Sequence, residues 1–592
     1  MPVIAGLLAI RVVALAGFLQ QVETISGAAD ARAEVARIAL ASAGLPTSLA
    51  PLIVPRSAGC FEEGAAITPE MLALLDRAMG RDPFTDRYNL IDRWGGWDGY
   101  AEPVDLTWSL MPDGVILGNA GYPGETDSPN SLFATMDGNF PSRELWIGLV
   151  QSCFDRWSQV SGIRFTRVTD GVHEWDDGAP AISSYGSATR GDIRIGMKPI
   201  APNILAYAYY PTIGDITMDS SDIGGFANPA SNYRYFRNTL QHELGHAIGL
   251  AHACPPNGTK VMEPAVNTGF DGVRHDEIRA AQQFYGDAYE INDTPAAAAD
   301  LGALAPGVAF TFGTPPSPAV TNGSVLGISL DDDVDYFKIS VSGPTLLSST
   351  VSPVGGVYAS GQQNGDGTCT PGTSMNSSQI QKLQFELFRN DLSSLGVSSG
   401  TSTTTLSRRL IPAGTYFVKV YSIVPHGFDN ASQLYTYSGN ATRAVVNAST
   451  GAVRRIDVSW ATALSGATYE LFRAPVMSPG SEISLGSVTN TSYSDSDVVA
   501  GVQYRYRIIG TQPGGNPVEY EIGTGIALNA SCPADFNSDG LVDDGDFVVF
   551  VAAYNELEVP PANPWCDMTA DLMVDDQDFV VFVAAYDALV CP

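Results

Sequence analysis

The segment HELGHAIGLAH, residues 242–252, constrains this chain more than any other stretch. Residues four apart on an α-helix share a face, so His242 and His246 can point at one metal ion. A straight helix would carry His252 about 15 Å beyond His242, too far to bind the same ion. The helix must therefore stop and the chain turn back. Gly249 is the residue type that permits that turn, because glycine tolerates positive φ. Three histidine ligands leave a fourth position open for water, the mark of a catalytic rather than a structural zinc. Glu243, next to the first ligand, can reach that water as a general base and pass its proton to the leaving amine of a cleaved peptide. Zinc would bring the pKa of the water toward about 7 and stabilise the oxyanion. Only six histidines occur in the chain, and His242, His246 and His252 account for half of them, which argues against scattered core or surface histidines.

At 592 residues the chain exceeds what one hydrophobic core organises, and its length predicts about three to five domains. Acidic side chains outnumber basic ones 64 to 32, for a formal net charge of -32. That balance argues against nucleic acid, which needs clustered Lys and Arg. An acidic surface favours solubility and hard cations such as calcium; a plainly solvated surface accounts for the charge equally well. The seven cysteines include no CxxC pair, which argues against a structural cysteine-zinc site. Their odd number leaves at least one thiol without a partner within the chain. The opening run MPVIAGLLAIRVVALAGFLQ is apolar but carries Arg11 inside it, and reads as an imperfect export signal. No other stretch approaches the length of a membrane-crossing helix, which predicts a soluble, secreted mature protein with no membrane span.

Along the chain, residues 1–60 read as signal and pro-segment, with the Ala-rich ADARAEVARIALASAG as a propeptide helix. Residues 61–287 mix strand and helix patterns. LTWSL (106–110) and DIRIGM (192–197) read as strands, and residues 144–162 as a helix with Leu145, Leu149, Phe154 and Trp157 near one face. Residues 288–443 are rich in Ser, Thr and Gly with short alternating strands, the pattern of a β-sandwich. Residues 444–529 predict a second sandwich, with Trp460, Tyr469 and Tyr504 in its core. Residues 530–592 hold an internal repeat, DGDFVVFVAAYNEL recurring as DQDFVVFVAAYDAL.

After the histidine segment comes KVMEP (260–264), and RWSQVSGIRFTRV, GDIRIGM and HDEIRAAQQFYGD flank it in order. Together these resemble the metzincin metallopeptidases, and among them the matrixins, over residues 104–287. The resemblance implies an α+β catalytic domain of a twisted sheet plus three helices, with Met262 forming the Met-turn floor beneath the zinc. It also implies that Ala206 and Ala208 lie on an edge strand that pairs with an extended peptide substrate. Tyr207 and Thr217 stand where matrixins carry histidines for a second, structural zinc, so none is expected here. Asp219 and Asp222 match acidic residues that bind structural calcium in the family; the other reading is a solvated acidic turn. VPRSAGC, ending at Cys60, is similar to the propeptide cysteine that keeps matrixin zymogens inactive, and its thiolate would block the water site. The flanking residues match poorly, and a disulfide or an idle thiol is the preferred reading. Cys254 is expected in a disulfide that fixes the loop before the Met-turn.

YEINDTPAAAADLG (289–302), DDDVDYFKISV (331–341) and LIPAGTYFVKV (410–420) resemble the pre-peptidase C-terminal domain, and residues 444–529 resemble a fibronectin type III module. The terminal repeat follows EF-hand loop grammar. Asp535, Asn537, Asp539, Leu541, Asp543 and Asp546 occupy the calcium-ligand positions of the first loop, with Gly540 at the sharp turn. The second loop keeps Asp567, Asp571, Asp575 and Asp578 but has Leu572 in place of the glycine, which puts its calcium in doubt. The duplicated loop-and-helix unit resembles a dockerin and implies a cohesin-like or cell-surface docking partner. The resulting architecture is multidomain: the metzincin-type domain, two β-sandwiches and a small helical EF-hand-like unit. Its function is expected to be secreted bacterial zinc endopeptidase activity on protein or peptide substrates. The rival reading is a cell-surface binding protein whose β modules and tail carry the function while the protease domain is vestigial. Residues 265–270, beyond the Met-turn, resemble no specificity class.

Overall fold

The computed structural model describes residues 57–61, 92–96, 100–122, 124–182, 186–314, 323–330, 332–361, 372–425, 432–462, 466–528, 532–537, 539, 541–556, 561 and 563–588. The apolar leader, the Ala-rich propeptide stretch, Gly540, Cys369 and Cys591 lie outside the described residues. No helix among the described residues is long and apolar enough to cross a membrane.

The first unit is built on a six-stranded sheet. In chain order its elements are β1 (Ser57–Phe61), β2 (Val104–Leu110), a short ribbon of β3 (Ile116–Leu117) and β4 (Ser128–Pro129), and helices α1 (Leu132–Asn139) and α2 (Arg143–Val160). Then come β5 (Ile163–Arg167), β6 (Ile193–Lys198), β7 (Ile204–Tyr209), β8 (Ile216–Asp219), α3 (Arg234–Ala247) and α4 (His275–Tyr285). The strand order is β1–β7–β8–β6–β2–β5. Strands β2, β5, β6 and β8 run parallel, whereas β7 is antiparallel to β8, and β1 is antiparallel to β7. Every residue of β6, β7 and β8 is buried, as expected of strands covered on both faces. Strand β1 spans Ser57–Phe61, so the last residues of the span 1–60, expected as signal and pro-segment, pair into the sheet.

Helix α2 turns its apolar stripe inward. Trp146, Leu149, Val150, Cys153, Phe154, Trp157 and Val160 are buried at the three- and four-residue spacing of one helix face. Its N-cap Ser142 accepts the Leu145 N–H at 3.2 Å, satisfying one of the orphan donors of the first turn. Phe154 stacks on Trp108 of β2 with ring centroids 4.4 Å apart, fixing the helix to the sheet.

The next unit is a sandwich of two five-stranded sheets. Its strand Val334–Val341 shows why: inward and outward residues alternate along its whole length. This sandwich docks on α2 and α4. Arg279 donates to the Ser432 carbonyl at 2.7 Å, Gln282 Nε2 donates to the Val160 and Val325 carbonyls, and Val325 and Leu434 enter the first unit's core. A further pair of sheets surrounds Trp460, Tyr469 and Tyr504, all buried as expected. The tail consists of helices α5 (Asp544–Glu556) and α6 (Asp576–Ala588). Phe550 and Phe582, at equivalent places in the repeat, stack with centroids 5.2 Å apart. Tyr554 and Tyr586 each donate to an aspartate, Asp576 and Asp544, at the start of the other helix.

Candidate metal and catalytic site

Helix α3 carries His242, Glu243 and His246, and is buried from Phe236 to its end. It stops after Ala247. Gly249 takes φ +104, a backbone conformation that L side chains rarely adopt, and the chain folds back. The carbonyls left open at the helix end are not wasted. Trp94 Nε1 donates to the Ala247 oxygen at 2.8 Å, and the Tyr285 hydroxyl donates to the Ile248 oxygen at 2.8 Å. This reversal brings His252 to its partners. The three imidazoles are fully buried, and their donor atoms lie within 4.8 Å of one another.

The hydrogen bonding fixes the tautomers. His242 Nδ1 lies 2.7 Å from the Val261 carbonyl and His246 Nδ1 lies 2.7 Å from the Leu250 carbonyl, so each Nδ1 must carry the proton. The two Nε2 atoms then face each other across 2.9 Å as bare lone pairs. Two buried acceptors with no hydrogen between them repel, and a cation relieves that repulsion. Burial pushes the His242 pKa down to about 4 and that of His246 well below its ordinary value, the latter with help from His242 and His252. The donor set fits zinc: three neutral imidazole nitrogens, two of them oriented by main-chain carbonyls.

Below the histidines lies Met262, held by two hydrogen bonds. The Ala253 N–H donates to its carbonyl at 2.7 Å, and its own N–H donates to Glu277 Oε1 at 3.1 Å. Sequence reasoning missed Glu277. The only signal available was an acidic residue in the first turn of α4, which reads as a helix-dipole charge. Glu263 was missed too; its carboxylate gathers the N–H groups of Gly258, Thr259 and Lys260, shaping the loop before the Met-turn. Cys254 in that loop is disulfide-bonded, as expected.

The fully buried Glu243 lies beside the histidines, and burial raises its carboxyl pKa well above the ordinary range. Neither of its oxygens completes a well-formed hydrogen bond; the thiol and main-chain N–H of Cys60 face it and hold the rise partly in check. Of the two preferred readings of Cys60, a disulfide or an idle thiol, the disulfide is overturned: Cys60 is a free, buried thiol whose Sγ lies within 4.8 Å of donor atoms of His242 and Glu243. The physical reason is strand pairing. Cys60 lies opposite Ala206 and Ala58 opposite Ala208 in the β1–β7 ladder. Beyond the ladder, the Phe61 N–H donates to the Pro264 carbonyl at 2.9 Å and the Val266 N–H donates to the Phe61 carbonyl at 3.1 Å. Residues 57–61 thus lie extended between the edge strand and the wall after the Met-turn, with Cys60 turned toward the histidines.

Tyr207, where a structural zinc ligand was expected to be missing, donates from its hydroxyl to the Gly118 carbonyl at 2.9 Å. The Lys198 ammonium reaches the same carbonyl at 3.0 Å and pairs with Glu125 at 2.8 Å, both side chains being fully buried. Asp219 Oδ1 accepts the Ile200 and Ser221 N–H groups and caps a short helical turn, and among the described residues it joins Asp222 in no three-donor cluster. In the tail, Asp535, Asp539 and Asp546 come together, and so do Asp567, Asp571 and Asp578. Leu572 adopts φ +73, so the second loop makes the turn without a glycine. Asp543 and Asp575 lie outside both clusters and accept from Gly545 and Gln577 N–H; Asn537 bonds to Asp539, and Leu541 is exposed.

Residues 141–286 match the family model described as Matrixin. Matrix metalloproteinase-2 of Drosophila melanogaster is 29% identical over 144 residues, covering 23% of this chain and 18% of that protein. Interstitial collagenase of Oryctolagus cuniculus is 31% identical over 144 residues, covering 23% and 27%. The chain therefore spans less than a third of the length of these curated relatives. Among solved structures, a two-domain fibronectin type-III segment of chicken tenascin overlaps 33% of this chain and 98% of that one, at 16% identity and a TM-score of 0.16.

Proposed function

We propose that this chain is a secreted zinc endopeptidase whose matrixin domain does the chemistry. The observation that carries the reading is the pair of Nε2 lone pairs 2.9 Å apart, with His252 completing the set and Glu243 beside them. Zinc bound by His242, His246 and His252 supplies Lewis acidity, lowering the pKa of water to about 7. Glu243 takes a proton from the attacking water and returns it to the leaving amine.

The groove between β7 and residues 264–266 is the substrate cleft. Residues 57–61 already occupy it in the extended form a peptide would take, with main-chain hydrogen bonds on both sides, which supports Ala206 and Ala208 as substrate-pairing positions. Where it stands, Cys60 blocks the approach of a peptide carbonyl and water, so this form of the chain is latent. The tail adds a docking role: Val548 and Val580, at equivalent places in the repeat, are 67% and 69% exposed, an apolar pair left for a cohesin-like partner.

The decisive experiment is Glu243→Ala, with cleavage read after removal of residues 1–61 from both the variant and the parent. Zinc content and melting temperature should stay at the native level while cleavage of a generic protein substrate falls by at least about 10³-fold. Undiminished hydrolysis would remove Glu243 from the mechanism. A native chain that binds zinc yet cleaves nothing, even after removal of residues 1–61, would instead favour the binding-protein reading.

A further inference from the structure

The loop from Ala253 to Met262 shapes the metal centre, yet it has no regular structure of its own. Its Val261 carbonyl orients His242 through Nδ1, and its ends close on each other through the Ala253 N–H and the Met262 carbonyl. A segment of this kind keeps one shape only where contacts from outside enforce it. Several of those contacts come from the first sandwich. Strands Val357–Ser360 and Thr373–Asn376 pair as a hairpin apart from the two main sheets. Gly361, the next residue after its first strand, forms a bridge with Cys254 and donates its N–H to the Cys254 carbonyl at 3.1 Å. The buried Lys260 ammonium reaches the Ala359 carbonyl at 3.4 Å. Gly372, just before the second strand, lies so near the loop that a Cβ there would stand 2.7 Å from Pro255 Cδ.

The same hairpin grips the start of α4. Tyr358 donates its hydroxyl to Asp276 Oδ1 at 2.6 Å and accepts from Arg279 Nη1 at 3.0 Å. Asp276 and Arg279 are both buried, and buried charges depend on having their partners in place. The residue after Asp276 is Glu277, whose two carboxylate oxygens accept the N–H groups of Met262 and Arg274. The Met262 N–H and the Val261 carbonyl belong to one planar peptide unit, so Glu277 and His242 hold opposite sides of the same plane. The path from the sandwich to the first histidine is therefore short: Tyr358, Asp276, Glu277, one peptide unit, His242.

We infer that this hairpin of the first sandwich is a working part of the metal centre, and that Tyr358 is a positioning residue for it. The inference rests on reading His242, His246 and His252 as the zinc ligands. Tyr358 acts only through others: through Asp276 and Arg279 it fixes the first turn of α4, and through Glu277 the peptide unit that orients His242. Ala359 and Gly361 beside it hold the loop that the same peptide unit closes.

Loss of the Tyr358 hydroxyl leaves a buried carboxylate oxygen short of a donor and a buried guanidinium short of an acceptor. The first turn of α4 must shift to replace them, and Glu277 shifts with it. His242 then keeps its Nδ1 partner at a poorer angle, and a metal-binding imidazole whose outer partner is misplaced holds its ion less firmly. The sandwich thus contributes to the chemistry of the site without reaching into the cleft.

The test uses the full-length chain carrying Glu243→Ala, so that self-digestion plays no part and the outcome does not depend on peptide cleavage. Three quantities are measured: zinc release to a chelator, the visible bands of the cobalt-substituted chain, and hydrogen exchange over residues 253–262 in the zinc-free chain. Tyr358→Phe should release zinc about five times faster, a smaller effect than loss of a direct histidine partner because it acts at one remove. It should also shift the cobalt bands and speed exchange in the loop. Gly372→Ala, which pushes on Pro255 from the sandwich side, should shift the bands as well. Tyr416→Phe is the control: its hydroxyl donates to the Pro412 carbonyl at 2.8 Å within the sandwich, so its loss should lower the melting temperature and leave zinc release and cobalt bands at parent values. Parent-like release, bands and exchange in Tyr358→Phe would reduce the hairpin to packing and overturn the inference. So would a Tyr416→Phe chain that moves all three as far as Tyr358→Phe does. If the Tyr358→Phe effects appear and the native chain still cleaves nothing after removal of residues 1–61, the positioning role stands and the peptidase reading falls.

Discussion

Two glycines show how tightly the metal centre is specified at the level of single residues. Glycine in the middle of a helix costs about 1 kcal/mol relative to alanine, yet Gly245 sits between the two helical ligands. A Cβ there would lie 2.3 Å from Met262 Sδ, so the missing methyl is what lets the thioether come up under the histidines. At Gly249 a Cβ would lie 1.7 Å from the Asp92 carbonyl oxygen, at φ +104. The obstacle at Gly249 is backbone and cannot give way, whereas the one at Gly245 is the end of a side chain that can move. Gly249→Ala should therefore cost more than about 3 kcal/mol, strain and clash together, and His252 should leave its partners. Gly245→Ala forces Met262 aside, an overpacking worth about 1–3 kcal/mol, and should weaken zinc binding while the chain still folds. Urea midpoints and zinc per chain measure both. A Gly249→Ala protein with native midpoint and full zinc would contradict the role given to the reversal.

At the scale of elements, the contest is over β7. Main-chain pairing to β1 holds residues 57–61 in the cleft, and the Cys60 side chain adds a thiol beside His242 and Glu243. If the thiol matters beyond the ladder, Cys60→Ala in the full chain should raise the initial rate of peptide hydrolysis at least about tenfold, the equivalent of ~1.4 kcal/mol. Equal rates would mean that strand pairing alone closes the cleft. The sequence carried half of this picture. Strands and helices at residues 104–110, 143–160 and 193–198 announce themselves because their apolar periodicity is local. The ligands His242, His246 and His252, with Gly249, are legible for the same reason, since a turn and a half of helix and one reversal join them. Cys60 is not: it is brought to His242 by a ladder that pairs it with Ala206, far along the chain, and nothing in VPRSAGC states which strand it will pair with. Asp287 and Asp335, whose carboxylates come together from the end of α4 and a strand of the first sandwich, fail similarly, since each alone looks like a solvated charge.

For the whole molecule, the governing quantity is the formal net charge of -32. Two opposing effects respond to salt. Exposed ion pairs such as Arg164–Asp105, with side chains 58% and 76% exposed, contribute at most about 1 kcal/mol each and weaken as salt rises. Repulsion among the excess carboxylates acts over longer distances, and it also weakens as the screening length falls from about 30 Å at 0.01 M to about 3 Å at 1 M. With twice as many acids as bases, repulsion wins, and the melting temperature in chelator should rise when KCl goes from 0.01 M to 0.5 M. Calcium held by Asp535, Asp539 and Asp546 in the tail would act apart from this screening, because specific oxygens would bind it. Monovalent salt should therefore recover only the surface part of what calcium provides. Calcium at millimolar level should still raise the melting temperature in 0.5 M KCl, and Asp546→Asn should remove part of that residual rise. A rise that vanishes entirely in high KCl would show calcium acting as one more screening ion over an acidic surface.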